Sequence, residues 1–155
     1  MCNNNQENND CRCINEILTV INILQQNASC PDTCLDTCDR GFLGCSVTSV
    51  NCNTRPVMLY TCCGNGVPWS MPTCKDSTIT CSNTEARDQG NECCSCVFRV
   101  EKLDGNCCTF RVLADNPEPS CCNTNPYVAT NSFFTMNLDC VCCIKCLNDT
   151  SVDCV

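Results

Sequence analysis

Histidine is absent from this chain, and that absence excludes more than any single residue present implies. The commonest general base, the Ser-His and Cys-His catalytic pairs and mixed Cys/His zinc sites all need an imidazole. Positive charge is scarce as well. Nine Lys and Arg stand against 17 Asp and Glu, a formal net charge of −8, and the basic residues nowhere cluster. At a pI of about 4.3 the chain repels polyanions, so neither nucleic acid nor a membrane surface is expected as a partner. Aromatics make up only 5% of the chain, which leaves little for a conventional core. Long apolar runs are missing too. The best of them, residues 14–24, is interrupted by Asn15, Glu16, Thr19 and Asn22 and is too short to span a bilayer. The opening MCNNNQENNDCRC has no basic n-region and no apolar h-region, so no signal peptide is expected. Phosphate-binding glycine loops, nucleophile elbows and paired carboxylates are not found either. No enzyme and no cofactor are expected.

What the chain has in excess is cysteine, 24 in 155 residues, well above the roughly 8–10% that marks a covalently braced scaffold. A thin core and many thiols belong together, because cross-links supply stability that burial does not. The length suits one domain: a polar, Asn-rich arm at residues 1–10, a Cys-rich domain at 11–149, and a tail at 150–155 that carries Cys154. There is a tension in this. The thiol content is that of an oxidising compartment, yet no export signal is expected. Either the thiols stay reduced and hold metal, or the chain meets oxidant later without crossing a membrane.

Along the chain, Ile14, Ile17, Leu18, Ile21 and Leu24 fall on one face of an amphipathic helix, with Asn9 or Asp10 as its cap. Residues 28–44, with Cys30, Cys34 and Cys38, read as a cross-linked loop. Strands are expected near 46–51 and 57–63, then a turn at Gly64-Asn65-Gly66 and a long loop with one short strand around 78–81. The plainest local signal is residues 94–113, two alternating runs around Asp104-Gly105, which predicts a hairpin. Its first run sets Cys94, Cys96, Phe98 and Val100 opposite Arg99 and Glu101; its second sets Cys108, Phe110 and Val112 opposite Thr109 and Arg111. Residues 134–148, FTMNLDCVCCIKCLN, continue the alternation and predict a closing strand. Phe134, Met136, Leu138, Cys140 and Cys142 lie on its core face. One helix and several strands point to a mainly β fold: a small antiparallel barrel or sandwich with the helix packed on it, heavily cross-linked by disulfides.

Five vicinal pairs occur: Cys62-Cys63, Cys93-Cys94, Cys107-Cys108, Cys121-Cys122 and Cys142-Cys143. On a strand, neighbours point to opposite faces. Parity therefore assigns Cys94, Cys96, Cys108, Cys140 and Cys142 to the core or to intramolecular bridges, and turns Cys93, Cys107 and Cys143 outward. Cys93 and Cys107, with Cys2, Cys11, Cys13 and Cys154 near the ends, are the candidates for disulfides between molecules. Outward thiols have little use in a monomer braced only from within and an obvious one in a protein bonded to its own copies. Three other readings stand beside this one. All cysteines could pair internally in a monomeric domain. Cys140, Cys142, Cys143 and Cys146 could hold structural zinc as thiolates. A thioredoxin-type role for Cys143 and Cys146 would need an α/β setting, whereas the surroundings read as β.

Four segments together resemble a known family: INEILTVINILQQ, NTRPVMLYT at residues 53–61, VFRVEKLDGNCCTFRVL, and MNLDCVCCIKCLND at the end. They are similar, in the same order, to the spore coat and exosporium family CotY/CotZ/ExsY of Bacillus-type endospores. The resemblance runs from about residue 14 to residue 149. It implies a structural protein whose copies self-assemble into hexagonal, disulfide-cross-linked sheets in the outer coat crust or the exosporium basal layer. Other coat or exosporium proteins would be its partners. It also implies synthesis in the mother-cell cytoplasm and oxidation at the spore surface, which would resolve the compartment tension. The chain departs from the family in lacking a His-rich end and in carrying more cysteine within residues 62–96.

Overall fold

The computed structural model describes residues 12–28, 52–81, 93–119 and 125–155. The expected N-terminal arm, the helix cap at Asn9 or Asp10, the loop with Cys30, Cys34 and Cys38, the strand at 46–51 and the Cys121-Cys122 pair lie outside the described residues. So do Cys2 and Cys11.

Helix α1 (Arg12–Ala28) comes first. Then follow β1 (Val57–Thr61), β2 (Met71–Pro72), β3 (Cys94–Ser95), β4 (Val97–Asp104), β5 (Cys107–Asp115), β6 (Tyr127–Asn137) and β7 (Val141–Cys146). Five of these form an antiparallel sheet in the order β6-β5-β4-β1-β7, while β2 and β3 pair separately. The fold is mainly β with one N-terminal helix, as the periodicities predicted. Among the described residues β6 and β7 do not pair, so the sheet is not a closed barrel. Yet only a short 3-10 turn, Leu138–Cys140, links these two edge strands. A three-residue connection between opposite edges requires the sheet to curl.

The concave side of that curl is the core. Val57, Leu59, Phe98, Val100, Cys108, Phe110, Val112, Met136, Leu138 and Val141 gather there with Ile14, Leu18 and Ile21 of the helix. Three phenylalanines meet at its centre. Phe134 meets Phe98 edge-on at 4.9 Å and stacks on Phe110 at 5.3 Å, arrangements favoured by the ring quadrupoles. Burying each such side chain contributes roughly 1.5–3 kcal/mol.

The helix sits one step round from the predicted face. Ile14, Leu18 and Ile21 are buried, but Ile17 is 42% exposed, and the next inward position is taken by Gln25, 1% exposed. A buried amide must find partners, and Gln25 finds them. Its Nε2 donates to the Val100 carbonyl at 2.8 Å, beside a register shift in the β4–β5 ladder, and its Oε1 accepts from the Arg55 N–H at 3.0 Å. At the other end of the helix Asn15 Nδ2 donates to the carbonyl of Gly105, in the tight β4–β5 turn. Gly105 there has φ 57°, a conformation open to glycine at little cost.

The opposite face of the sheet carries a second, smaller core. Val97, Leu113 and Val152 are buried there with Cys96, Tyr127, Ala129, Leu147 and Val155 against them. Residues 150–155, set apart in the sequence as a tail, fold back over this face. Thr54 and Thr150 form a bridge, and Asn53 and Val152 exchange two hydrogen bonds, at 2.8 and 3.0 Å. This cover also buries Arg99, read from the alternation as lying opposite the core face. Its Nε donates to Thr54 Oγ1 at 3.0 Å, and Glu101 bridges it to Arg111, which lies directly across the ladder. The short strand expected at 78–81 is not formed; the strand β2 at Met71–Pro72 takes its place.

Candidate functional site: a rim of thiols around the 3-10 corner

The 3-10 corner gathers the chemistry. β4 ends where β5 begins, at the turn before Cys107; β6 ends where β7 begins, at the 3-10 corner. β1 runs antiparallel to β4, so its C-terminal end lies away from the β4–β5 turn. It pairs, however, with the start of β7, Thr61 opposite Val141, which brings Cys62 and Cys63 to the corner. The pairing of Cys107 with Asn137 brings Cys107 there too. Cys62, Cys63, Cys107, Cys140, Cys142 and Cys143 are all exposed. The corner is thus rimmed with sulfur.

Short polar links hold the rim in place. The Leu138 N–H donates to the Asn106 carbonyl at 2.9 Å, and the Cys62 N–H to the Cys140 carbonyl at 3.1 Å. Asn106 Nδ2 donates to Asn137 Oδ1, and that same oxygen accepts from the Asp139 N–H at 3.0 Å, capping the 3-10 turn. The Cys142 thiol lies 3.4 Å from the Tyr60 carbonyl oxygen.

The corner overturns the predicted closing strand. A strand continuing through residue 142 would have sent Cys140 and Cys142 into the core. Instead the chain leaves the period of two at Leu138. In the 3-10 turn residues three apart superpose, so Leu138 is followed inward by Val141, both buried. A register shift between Tyr60 and Thr61 in the β1–β7 ladder then leaves Cys142 without a cross-strand partner, as a bulge does. Ile144, opposite Leu59, is the next side chain packed on the core. Cys140 and Cys142 are exposed rim thiols, not core residues. The warning lay in Asn137-Leu138-Asp139, a capping and turn sequence inside an apparent strand, and in the three-residue spacing of Leu138, Val141 and Ile144.

The remaining predicted positions divide. Cys108 is fully buried on the core face and Cys107 beside it is exposed. Burial pushes the Cys108 thiol up to about 12, so it stays protonated and unreactive. Cys94 is bonded to Cys81, which ties β3 to the loop that joins it to β2. Cys96 is half-buried against the second core. Cys52 is buried and disulfide-bonded. Of the positions expected to reach other molecules, Cys13 and Cys154 are exposed, Cys93 is half-buried, and only Cys107 belongs to the rim. Cys143 is on the rim as well, whereas Cys146 lies further along β7, opposite Val57. With Cys13, Glu16, Ile17, Val20, Ile21 and Arg55 it lines a groove of about 330 Å³ beside the helix. Burial raises its pKa and the Arg55 guanidinium opposes that shift.

Among the described residues no three His, Cys, Asp or Glu side chains are grouped so as to hold a metal ion. Cys140, Cys142, Cys143 and Cys146 are spread along a corner and a strand instead of converging. No helix among the described residues is long and apolar enough to cross a membrane.

The family model described as spore coat protein Z matches residues 1–149. No curated protein and no solved structure matches the chain.

Proposed function

Because the chain belongs to the spore coat protein Z family, and so has a structural role in the spore coat, we propose that its copies assemble into a disulfide-cross-linked sheet at the spore surface. The sheet is two-dimensional and hexagonal, lies in the outer coat crust or the exosporium basal layer, and acts as a permeability barrier. Its other partners are coat and exosporium proteins. The chain is made in the mother-cell cytoplasm and works as a building block, not as an enzyme.

The observation that carries this reading is the rim. Six exposed cysteines around one corner of a braced sheet are poorly placed to stabilise the domain and well placed to reach another molecule. Each link joins two sulfurs and releases two protons and two electrons, accepted by dioxygen or by a small-molecule disulfide. The internal bridges at Cys52 and Cys81–Cys94 serve the domain itself. The chain's −8 charge opposes contacts between copies wherever carboxylates meet, and covalent closure makes such contacts permanent.

Purified protein, oxidised in solution, tests the proposal on gels run with and without reductant and by negative-stain microscopy. Reductant-sensitive ladders and ordered sheets are expected. A monomer under both conditions, with no sheets or rings, ends it.

A further inference from the structure

The two edges of the five-stranded sheet are built differently. Natural sheets blunt open edges with short strands, charged side chains, prolines or bulges, because unpaired N–H and C=O groups invite another strand. β7 is six residues long, carries Lys145, has the irregularity at Cys142, and is flanked by Asp139 and Asp149. β6 is 11 residues, YVATNSFFTMN, without a charge, a proline or a glycine. Among the described residues its outer edge has no strand partner. Its only irregularity lies in residues 130–132, where the pairing with β5 shifts register, Thr130 Oγ1 donates to the Val112 carbonyl and Ser132 is buried. That leaves residues 133–137 as a regular, uncharged stretch of open edge. Phe133 within it is 46% exposed, and Arg111 stacks over its ring at 4.5 Å.

We propose that residues 133–137 of β6 pair antiparallel with the same residues of a second copy, about a two-fold axis at Thr135. The partner is argued from charge. Two copies that each carry −8 repel wherever their carboxylates meet, and an edge without charge is where they can approach. In this register Phe133 faces the partner's Asn137, Phe134 the partner's Met136, and Thr135 its own counterpart. No like charges are opposed, Phe133 loses exposure, and the Thr109–Thr135 hydroxyl contact at 2.9 Å continues into a cross-strand Thr pair. Pairing the opposite edges, β6 on β7, would instead add copies without limit or close a ring. A two-fold β6 contact stops at two. The inference deepens the proposed self-assembly by naming a contact that needs no oxidation, and the two can fail separately.

The test uses the full chain, purified without oxygen and alkylated with iodoacetamide while folded. Accessible thiols are then blocked and the internal bridges kept. Sedimentation over a concentration series is expected to rise from 17.0 kDa to twice that mass and stop. Thr135→Lys sets two ammonium groups opposite each other at the axis and is expected to hold the chain at monomer mass with an unchanged far-ultraviolet spectrum. Hydrogen exchange on the unsubstituted chain keeps the test open should that variant not fold. Amides in residues 133–137 should slow as concentration rises, and those of β7 should not. A monomer throughout the series, growth past two chains, association unaffected by Thr135→Lys, or concentration-dependent protection on β7 in place of β6 would each overturn the proposal. Loss of oxidised sheets with the dimer intact would overturn the disulfide lattice and leave this contact standing.

Discussion

The backbone N–H of Cys62 donates to the carbonyl oxygen of Cys140 across 3.1 Å, joining the end of β1 to the corner between β6 and β7. Positions 78 residues apart in sequence thus become neighbours on one rim, and that rim is where cross-linking is expected. Replacing Cys140, Cys142 and Cys143 together by serine removes three exposed sulfurs without touching the core. Stability should stay within about 0.5 kcal/mol, as for ordinary surface changes, while the oxidised ladder on non-reducing gels shortens sharply. An undiminished ladder would move the links to the other rim thiols, Cys62, Cys63 and Cys107, to Cys13, Cys93 or Cys154, or to cysteines outside the described residues.

Cys108 should behave oppositely. It is fully buried beneath the hairpin, so iodoacetamide should label it only after denaturation, with the rim thiols labelled first. Its titration also has a direction. Burial lifts the folded-state value from 9.0 to about 12. As pH rises past 9 the unfolded chain releases this proton while the folded one keeps it. The contribution to stability is therefore whole below pH 9, declines across the interval, and is lost as pH passes 12. The slope is about 1.4 kcal/mol per pH unit at most. Cys108→Ala cannot titrate, so the gap between its chemical-denaturation midpoint and that of the unsubstituted chain should narrow as pH rises from 9. A constant gap would contradict the burial of this thiol.

Gln25 offers a test of how the helix is docked. Gln25→Leu fills much the same volume but leaves the Val100 carbonyl and the Arg55 N–H without the partners seen at 2.8 and 3.0 Å. Each buried group left unpaired costs about 1–3 kcal/mol, so this hydrophobic substitution should destabilise the domain by about 2–5 kcal/mol in urea melts. A neutral or stabilising outcome would mean that water reaches these groups in the folded chain.

That position also marks where sequence reading succeeded and where it stopped. The hairpin was legible because Asp104-Gly105 sits between two clean alternations, and α1 because its aliphatics recur at helical spacing. The rotation of α1 was not. Ile17 and Gln25 trade the roles their polarity suggests, since a ladder irregularity at Val100 calls for an amide donor, and such irregularities leave no mark in composition. The rim was hidden for a related reason. Period-two parity is valid only while a strand persists, and the 3-10 corner at Leu138 broke it before the cysteines that mattered. The alternation placed Arg99 on the right face, but its burial was not legible, because the chain segments that cover it, Asn53-Thr54 and the tail, are distant in sequence.

The tail yields the last prediction. Val152 is 1% exposed and packs with Val97 and Leu113, while Asn53 pairs with both its N–H and its carbonyl. Val152→Ala should therefore cost about 1–3 kcal/mol, the lost apolar burial plus a small cavity. Asn53→Ala should cost a similar amount, because it unpairs two backbone groups at once. The two changes act on one contact, so the double variant should lose less than the sum. Asn53 neighbours Thr54, the hydroxyl to which Arg99 donates, so hydrogen exchange in residues 97–101 should quicken in the same variants. If instead Val152→Ala leaves both the urea midpoint and that exchange unchanged, residues 150–155 are no part of the folded unit, and Arg99 must be shielded by something else.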